Sequence, residues 1–368
     1  MPHKIGVIIL SHNSRPYLDD LFFSLGEVKY PDWRILFIDN NSSDNGIEYL
    51  KEKFLPNFSN LEIMELDKNI GFAGGNNVGL KYFADNNFDC AYLLNQDTVV
   101  EPDFLEKAAQ RMDAETGSVQ SLIFLHNQER VNTLGNAIHF LGFGYCYGYG
   151  WDREKTDACL NEWRKRDPEL NIAYASGAGA LFNLRGLAQV GFFDEDYFMY
   201  HEDLDLGWRL RLAGYRNVLA PDSVIYHKYE FLRSIKKYYW MERNRFITIA
   251  RNYSLRGIVM IAPAFLLMEL GLFIFSFFSG WWKEKLKVYG YFLYPTTWRK
   301  IAVGRKRVQS MRQVPDKDIG RYFVGEILFQ GIDNPILRRL INPLLALYWS
   351  IAGHILRTGS SLDKKIKM

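Results

Sequence analysis

Four short apolar runs near the N-terminus, each followed by a polar or glycine-rich break, constrain this chain more than any other feature. Residues 5–10 form a continuous β-branched run, as expected of a parallel strand covered on both faces. An apolar-periodic segment carrying Leu18, Leu21, Phe22 and Leu25 follows and reads as a helix. Further strands are predicted over 34–38, 61–66 and 89–94, with a helix over 47–54. A Gly/Asn-rich loop over 69–79 is expected to lead into a helix reaching about residue 86. This alternation predicts an α/β fold with a mostly parallel central sheet and right-handed crossovers. In such sheets ligands bind beyond the carboxyl ends of the strands. The polar clusters of this chain lie there: Ser11–Asn13, Asp39–Asp44 and Asn95–Thr98.

Later elements are read with less detail. Residues 120–172, including the glycine- and aromatic-rich HFLGFGYCYGYGW, fit either a mobile loop or an irregular hairpin. YASGAGALFNLR at 174–185 brings small residues that allow close backbone approach. GFFDEDYFMYHEDLDLGWRLRLAG at 191–214 packs six carboxylates among aromatic residues. Within it Leu204, Trp208 and Leu212 recur at helical spacing, so Glu202 and Asp203 fall at the first turn, where the helix dipole favours negative charge. An acidic helix cap and a catalytic carboxylate in a walled cleft both suit that pattern. Residues 218–227 read as a strand ending in His227.

The 368 residues carry a net charge of +3 that conceals an asymmetry. Residues 228–368 hold 25 Lys/Arg against 9 Asp/Glu, whereas residues 1–227 hold 20 against 33. An acidic body with a basic, aromatic C-terminal part points to an anionic membrane surface rather than nucleic acid. Residues 258–282 include one charge, Glu269, and are long enough to cross a bilayer. A second apolar segment, 336–356, is broken by Arg338, Arg339, Pro343 and His354 and reads as an interfacial helix. A buried helical hairpin or an interface in a homo-oligomer is the alternative for both. The positive-inside tendency favours a re-entrant or surface-lying arrangement, with both basic regions on the cytoplasmic side. MPHKIGVIILSHN has too short an apolar run for a signal peptide, so the first two-thirds are expected to stay in the cytoplasm. Three cysteines without metal-ligand spacing (Cys90, Cys146, Cys159) fit a reducing compartment.

Asp39, at a strand end, can accept from a pyrimidine imide N–H, with Asn41, Ser42 and Asp44 filling out the pocket; it can equally close an Asx-turn. The glycines of NIGFAGGNNVGL let backbone amides approach a ligand before a helix N-terminus, though the segment is neither a Walker loop nor a dinucleotide GxGxxG. Asp97 suits Mg2+ or Mn2+ on a nucleoside diphosphate, because phosphates supply further oxygens; His227, at a strand end, fits either another ligand or a satisfied structural histidine.

Together VIILSHN, IDNNSSD, NIGFAGGNNVGL, LLNQDT, SGAGALFNLRG and the 191–214 stretch resemble inverting family 2 glycosyltransferases of GT-A fold, especially rhamnosyltransferase-like members. The resemblance spans roughly residues 5–228 and implies a catalytic domain over 1–235, followed by a helical, membrane-associated region over 236–368. It implies that Asp39 contacts the nucleobase and that Ser11, Asn13 and Asn41 line the nucleotide pocket. Gly74, Gly75, Asn76 and Asn77 would lie along the nucleoside and diphosphate, Asn95 at the ribose, and Ser176 and Gly177 at the substrate. Asp97 takes the metal position and His227 that of a late metal-ligating histidine. Asn95 stands where the family often has its first Asp, leaving one carboxylate in that motif. Asp203 would be the general base, with Glu202 supporting it or touching the acceptor. The implied reaction moves one sugar from dTDP-rhamnose or a UDP-sugar to a lipid-linked saccharide in cell-surface glycan synthesis. YYWMERNR lacks the Gln-x-x-Arg-Trp signature of processive synthases, which favours one sugar per encounter. A sugar nucleotidyltransferase and a non-catalytic membrane scaffold are the competing readings.

Overall fold

A computed structural model of the chain describes residues 2–228, 236–328 and 335–358. The expected domain boundary at 235 falls outside these residues. Backbone contacts divide the chain into two units. The first comprises Met1–Asn136, Cys146–Leu210 and Tyr215–Phe231; the second comprises Ala137–Tyr145, Arg211–Gly214 and Leu232–Met368.

The strands of the first unit are β1 (Ile5–Ser11), β2 (Trp33–Asp39), β3 (Leu61–Glu65), β4 (Cys90–Leu94), β5 (Thr98–Val100), β6 (Thr116–Leu125) and β7 (Val131–Thr133). After β8 (Asn136–His139) and β9 (Gly144–Cys146) come β10 (Gly179–Asn183) and β11 (Arg216–His227). One sheet runs β3-β2-β1-β4-β10-β6-β11-β5, with β7 beside β6. The block β3-β2-β1-β4 is parallel throughout, as its buried β-branched runs demand. Beyond it β10 pairs antiparallel with both β4 and β6, while β11 runs parallel to β6. The sheet is therefore parallel on one side and mixed on the other. Strand order reverses between β1 and β4, so the ends of β1, β2 and β4 border one switch point.

Helices α1 (Leu18–Gly26), α2 (Gly46–Lys53), α3 (Gly71–Asp85), α4 (Phe104–Ala109), α5 (Arg153–Arg166) and α6 (Leu184–Val190) connect these strands. They are followed by α7 (Glu202–Leu212), on which Leu204, Trp208 and Leu212 are buried as their spacing predicts.

Segment 69–79 departs from the loop expectation, since α3 begins at Gly71. Its glycines are needed for packing. A Cβ at Gly75 would lie 2.3 Å from Leu10, and one at Gly79 would lie 2.8 Å from Ile8. Close helix–sheet approach thus overrides the poor helix propensity of this sequence.

In the second unit, residues 137–145 form a hairpin, the second of the two expected alternatives. β8 pairs with β9 and with β12 (Phe323–Val324), and His139, Phe140, Leu141 and Phe143 are buried. Phe140 stacks on Trp349 with ring centroids 5.0 Å apart. The helices here are α8 (Lys236–Asn252), α9 (Leu255–Phe278), α10 (Trp282–Tyr291), α11 (Pro295–Met311), α12 (Asp316–Ile319) and α13 (Asn342–Thr358). Three buried charges, Glu242, Arg245 and Lys285, and the half-buried Glu269 join the first three. Arg245 donates to Glu242 (3.0 Å) and to Glu269, and Lys285 donates to Glu269 (2.7 Å) and to Glu242. Burial alone would lift the Glu242 carboxyl, but Arg245 and Lys285 hold it down at about 2.

Candidate active site

The ends of β1 and β2 are tied together by short polar side chains. Asn13 accepts from the Ser43 N–H (2.9 Å), and the Asn13 N–H donates to Ser42 Oγ (2.9 Å). Ser11 Oγ donates to Ser14 Oγ (2.7 Å) and is buried. Asn13 and Asn41 adopt positive φ (55° and 63°), a conformation asparagine tolerates better than most residues. Asp39 is 6 % exposed; its Oδ2 accepts from the Ser42 N–H (3.1 Å) and its Oδ1 from Ser42 Oγ. The carboxylate is thus oriented by its own turn and retains acceptor lone pairs for a ligand.

Asn40, which the motif reading passed over, fixes the neighbouring turn. Its Oδ1 accepts from the Ile70 N–H (2.9 Å), and its Nδ2 donates to Asn69 Oδ1 and Gly71 O (3.2 Å each). At the start of α3 the Ala73 N–H donates to the Phe198 carbonyl (3.2 Å), so a protein oxygen occupies this helix amide. Asn76 donates to Phe72 O, and Asn77 grips the backbone of Phe193. Gly74, Gly75, Asn76 and Asn77 are buried in the first turns of α3.

Asp97 and His227 meet across the antiparallel pair β5–β11. His227 Nε2 lies 3.2 Å from Asp97 Oδ1 and 3.4 Å from Asn95 Nδ2. On the other side of the ring, His227 Nδ1 lies 3.3 Å from the buried Asn132 Oδ1. A protonated Nδ1 donating to Asn132 leaves the Nε2 lone pair directed at the Asp97 side. Asn132 lies in the stretch whose sequence pattern was unreadable, and a lone amide carries no periodic signal. Gln96 gives β4 a further link to β1, accepting from the His12 N–H (2.7 Å) and donating to His12 O (3.2 Å).

Glu202 and Asp203 open α7 after a strained approach, in which Phe198, Tyr200 and His201 all have positive φ (62°, 64° and 71°). Asp203 is half-buried, with Oδ1 accepting from the Leu204 N–H (2.8 Å) and Oδ2 from the Gly177 N–H (3.4 Å). Burial pushes its carboxyl up to about 6, against the pull of those two donors. Glu202 is buried, and its Oε2 has no hydrogen-bond partner. Burial, and then the adjacent Asp203 charge, lift it well above the ordinary carboxylate range. Gly177 thus joins the site through its amide, while Ser176 is positioned by its N–H donating to Gln120 Oε1 (2.8 Å). The remaining acidic residues of the stretch are structural. Asp194 caps a short turn, and Asp205 binds Arg209 (2.8 Å), which donates to the carbonyls of Val190, Gly191 and Phe192.

Residues 6–186 match the family model described as glycosyl transferase family 2. Over these residues the chain belongs to that family, and its sheet has the GT-A architecture. It is 24 % identical over 247 residues to N-acetylglucosaminyl-diphospho-decaprenol L-rhamnosyltransferase of Mycobacterium tuberculosis, covering 62 % of this chain and 77 % of that one. It is 25 % identical over 222 residues to poly-β-1,6-N-acetyl-D-glucosamine synthase of Staphylococcus epidermidis, covering 60 % of this chain and 48 % of that protein. Among solved structures, it is similar to mannosyltransferase PcManGT from Pyrobaculum calidifontis in complex with GDP-Man and Mn2+ (TM-score 0.52, 14 % identity, 84 % of this chain and 86 % of that one). It is also similar to GalNAc-T7 with UDP, GalNAc and Mn2+ (TM-score 0.54, 14 % identity, 70 % and 50 %). At these identities the structural likenesses carry the fold alone.

Proposed function

We propose that the protein transfers one sugar, with inversion, from a nucleotide-diphosphate sugar to a hydroxyl of a lipid-linked saccharide in cell-surface glycan synthesis. The carrying observation is Asp203, a half-buried carboxylate at a helix start whose affinity for protons is raised by burial yet which stays ionised at neutral pH. Those are the properties of a general base poised to take a proton from an acceptor hydroxyl. Glu202, whose affinity for protons is raised by burial and then by the adjacent Asp203 charge, would support Asp203 from its buried position. Asp39 would read the base of the donor, with Ser11, Asn13 and Asn41 beside it and Asn95 at the ribose. The donor is a dTDP- or UDP-sugar, with dTDP-rhamnose first, because the rhamnosyltransferase is among the relatives found by sequence.

The Asp97–His227 pair fits a divalent cation. Two acceptor atoms 3.2 Å apart suit adjacent ligands of one small ion, whose ligand distances are about 2.0–2.1 Å. Among the described residues no cluster of three or more His, Cys, Asp or Glu side chains is placed to hold a metal. Asp97 and His227 would therefore hold Mg2+ or Mn2+ together with the donor diphosphate. When bound, the ion supplies charge neutralisation for the departing diphosphate.

The test is a thermal-shift panel of nucleotide-diphosphate sugars with and without Mn2+, followed by incubation of the stabilising donor with membrane extract. The expected products are a free nucleoside diphosphate and labelled sugar in the lipid fraction. Pyrophosphate released from a nucleoside triphosphate would instead establish a nucleotidyltransferase. Failure of every donor and nucleoside diphosphate to bind would leave a scaffold.

A further inference from the structure

Among the described residues α9 alone is long and apolar enough to cross a membrane, with mean hydropathy 2.4 over its most apolar window. Its packing argues against crossing. Long side chains of α8 reach α9 and the turn beyond it at three points. Phe246 meets Phe265 (5.2 Å between ring centroids), Arg245 binds Glu269 at mid-helix, and Tyr238 stacks on Trp281 just beyond the far end (4.8 Å). α10 folds back on the same side, where Lys285 binds Glu269 and Phe273 meets Tyr289 (6.0 Å). A spanning α9 would therefore carry α8 to bilayer depth with Glu242, Arg243, Asn244, Arg245 and Arg251. It would also carry α11, whose Arg305 donates to the α8 carbonyl of Ala250 and whose Arg299, Lys300, Lys306 and Arg307 are exposed. Charged groups in those numbers are not accommodated in hydrocarbon.

The other side of α9 is bare. Val259, Leu266, Leu267, Leu270, Ile274 and Phe278 form one stripe at helical spacing, with Leu267 72 % and Phe278 87 % exposed. α13 is tied to α9 by Tyr348 Oη donating to Met260 O (2.5 Å) and by Arg256 donating to Ile355 O (3.1 Å). It exposes a second stripe through Leu344, Leu347 and Ile351. Apolar stripes on a unit with a large excess of positive charge, and with the aromatic residues Tyr294 and Trp298 exposed, match the acyl–headgroup boundary of an anionic bilayer. We propose that α9 lies in the plane of an anionic lipid surface instead of spanning it, with its outer stripe in the acyl boundary and exposed lysines and arginines of the same unit on lipid phosphate.

Two measurements on the full chain test it. Leu255→Cys and Ser279→Cys, at opposite ends of α9, are labelled with a membrane-impermeant maleimide in sealed vesicles and mapped by peptide mass. Labelling of both ends from the same side is expected; labelling from opposite sides overturns the proposal. In flotation with preformed phosphatidylglycerol/phosphatidylcholine vesicles, the protein is expected to co-float. Binding should vanish in Leu266→Glu/Leu270→Glu and weaken at least about tenfold in Lys306→Glu/Arg307→Glu. Unchanged binding by both variants, or equal binding to pure phosphatidylcholine, overturns it. So does a dimer formed through this face without vesicle binding.

Discussion

Asn77 holds Phe193 by both sides of its backbone: Asn77 Nδ2 donates to Phe193 O (2.9 Å), and the Phe193 N–H donates to Asn77 Oδ1 (3.0 Å). The same amide nitrogen reaches Glu195 (3.1 Å), so one helix residue anchors the segment that leads into Glu202 and Asp203. Asn77→Ala would leave two buried backbone groups unpaired and is expected to cost about 2–4 kcal/mol. The urea midpoint of the variant measures this. An unchanged midpoint would show that the clamp carries no stability.

Asp203→Asn should lower turnover at least ~100-fold while leaving donor binding intact. The wild-type rate should rise with pH through about 6 and then level off, because only the ionised carboxylate accepts a proton. A pH–rate profile flat from 5 to 8 would remove Asp203 as the base.

Glu202 gives a stability prediction of opposite sense to the usual paired carboxylate. Its folded-state pKa is raised, so the folded protein holds a proton that the unfolded chain releases near its ordinary value of 4.5. Stability contributed by the protonated side chain is full below that value and declines as pH rises toward the folded pKa. Glu202→Gln keeps the neutral shape without the titration. Its melting temperature relative to wild type should increase from pH 5 to pH 8, and a constant difference would contradict the assignment.

Asn132 anchors His227 from behind, and loss of a partner that orients a ligating imidazole typically costs about 10–100-fold in metal affinity. Asn132→Ala should weaken Mn2+ binding by that order in the presence of UDP, read by titration calorimetry. UDP binding without metal should hold. Equal Mn2+ affinity in the variant would separate His227 from the metal.

The parallel half of the sheet was legible because strands buried on both faces announce themselves as continuous apolar runs. The start of α7 was legible because Leu204, Trp208 and Leu212 set its register and left Glu202 and Asp203 at the first turn. The antiparallel insertion of β10 was not legible, since pairing partners distant in sequence leave no local pattern. The helix ending near residue 86 was legible, but its first half was not, because glycine at positions 75 and 79 signals a break locally, whereas here it answers the close approach of Leu10 and Ile8. Asn132 and Asn40 act through single amides whose partners only the fold brings near.

Residues 137–145 interrupt the first unit in sequence yet complete the core of the second, through Phe140 and its stack on Trp349. The two units are therefore not successive modules. A ribosome emits the β8–β9 hairpin nearly two hundred residues before the strand that pairs with it, so this apolar segment must wait, unsatisfied, through most of synthesis. A shortened gene ending near residue 235 would strand the hairpin permanently, and its product is a candidate for chaperone retention and not for a minimal enzyme.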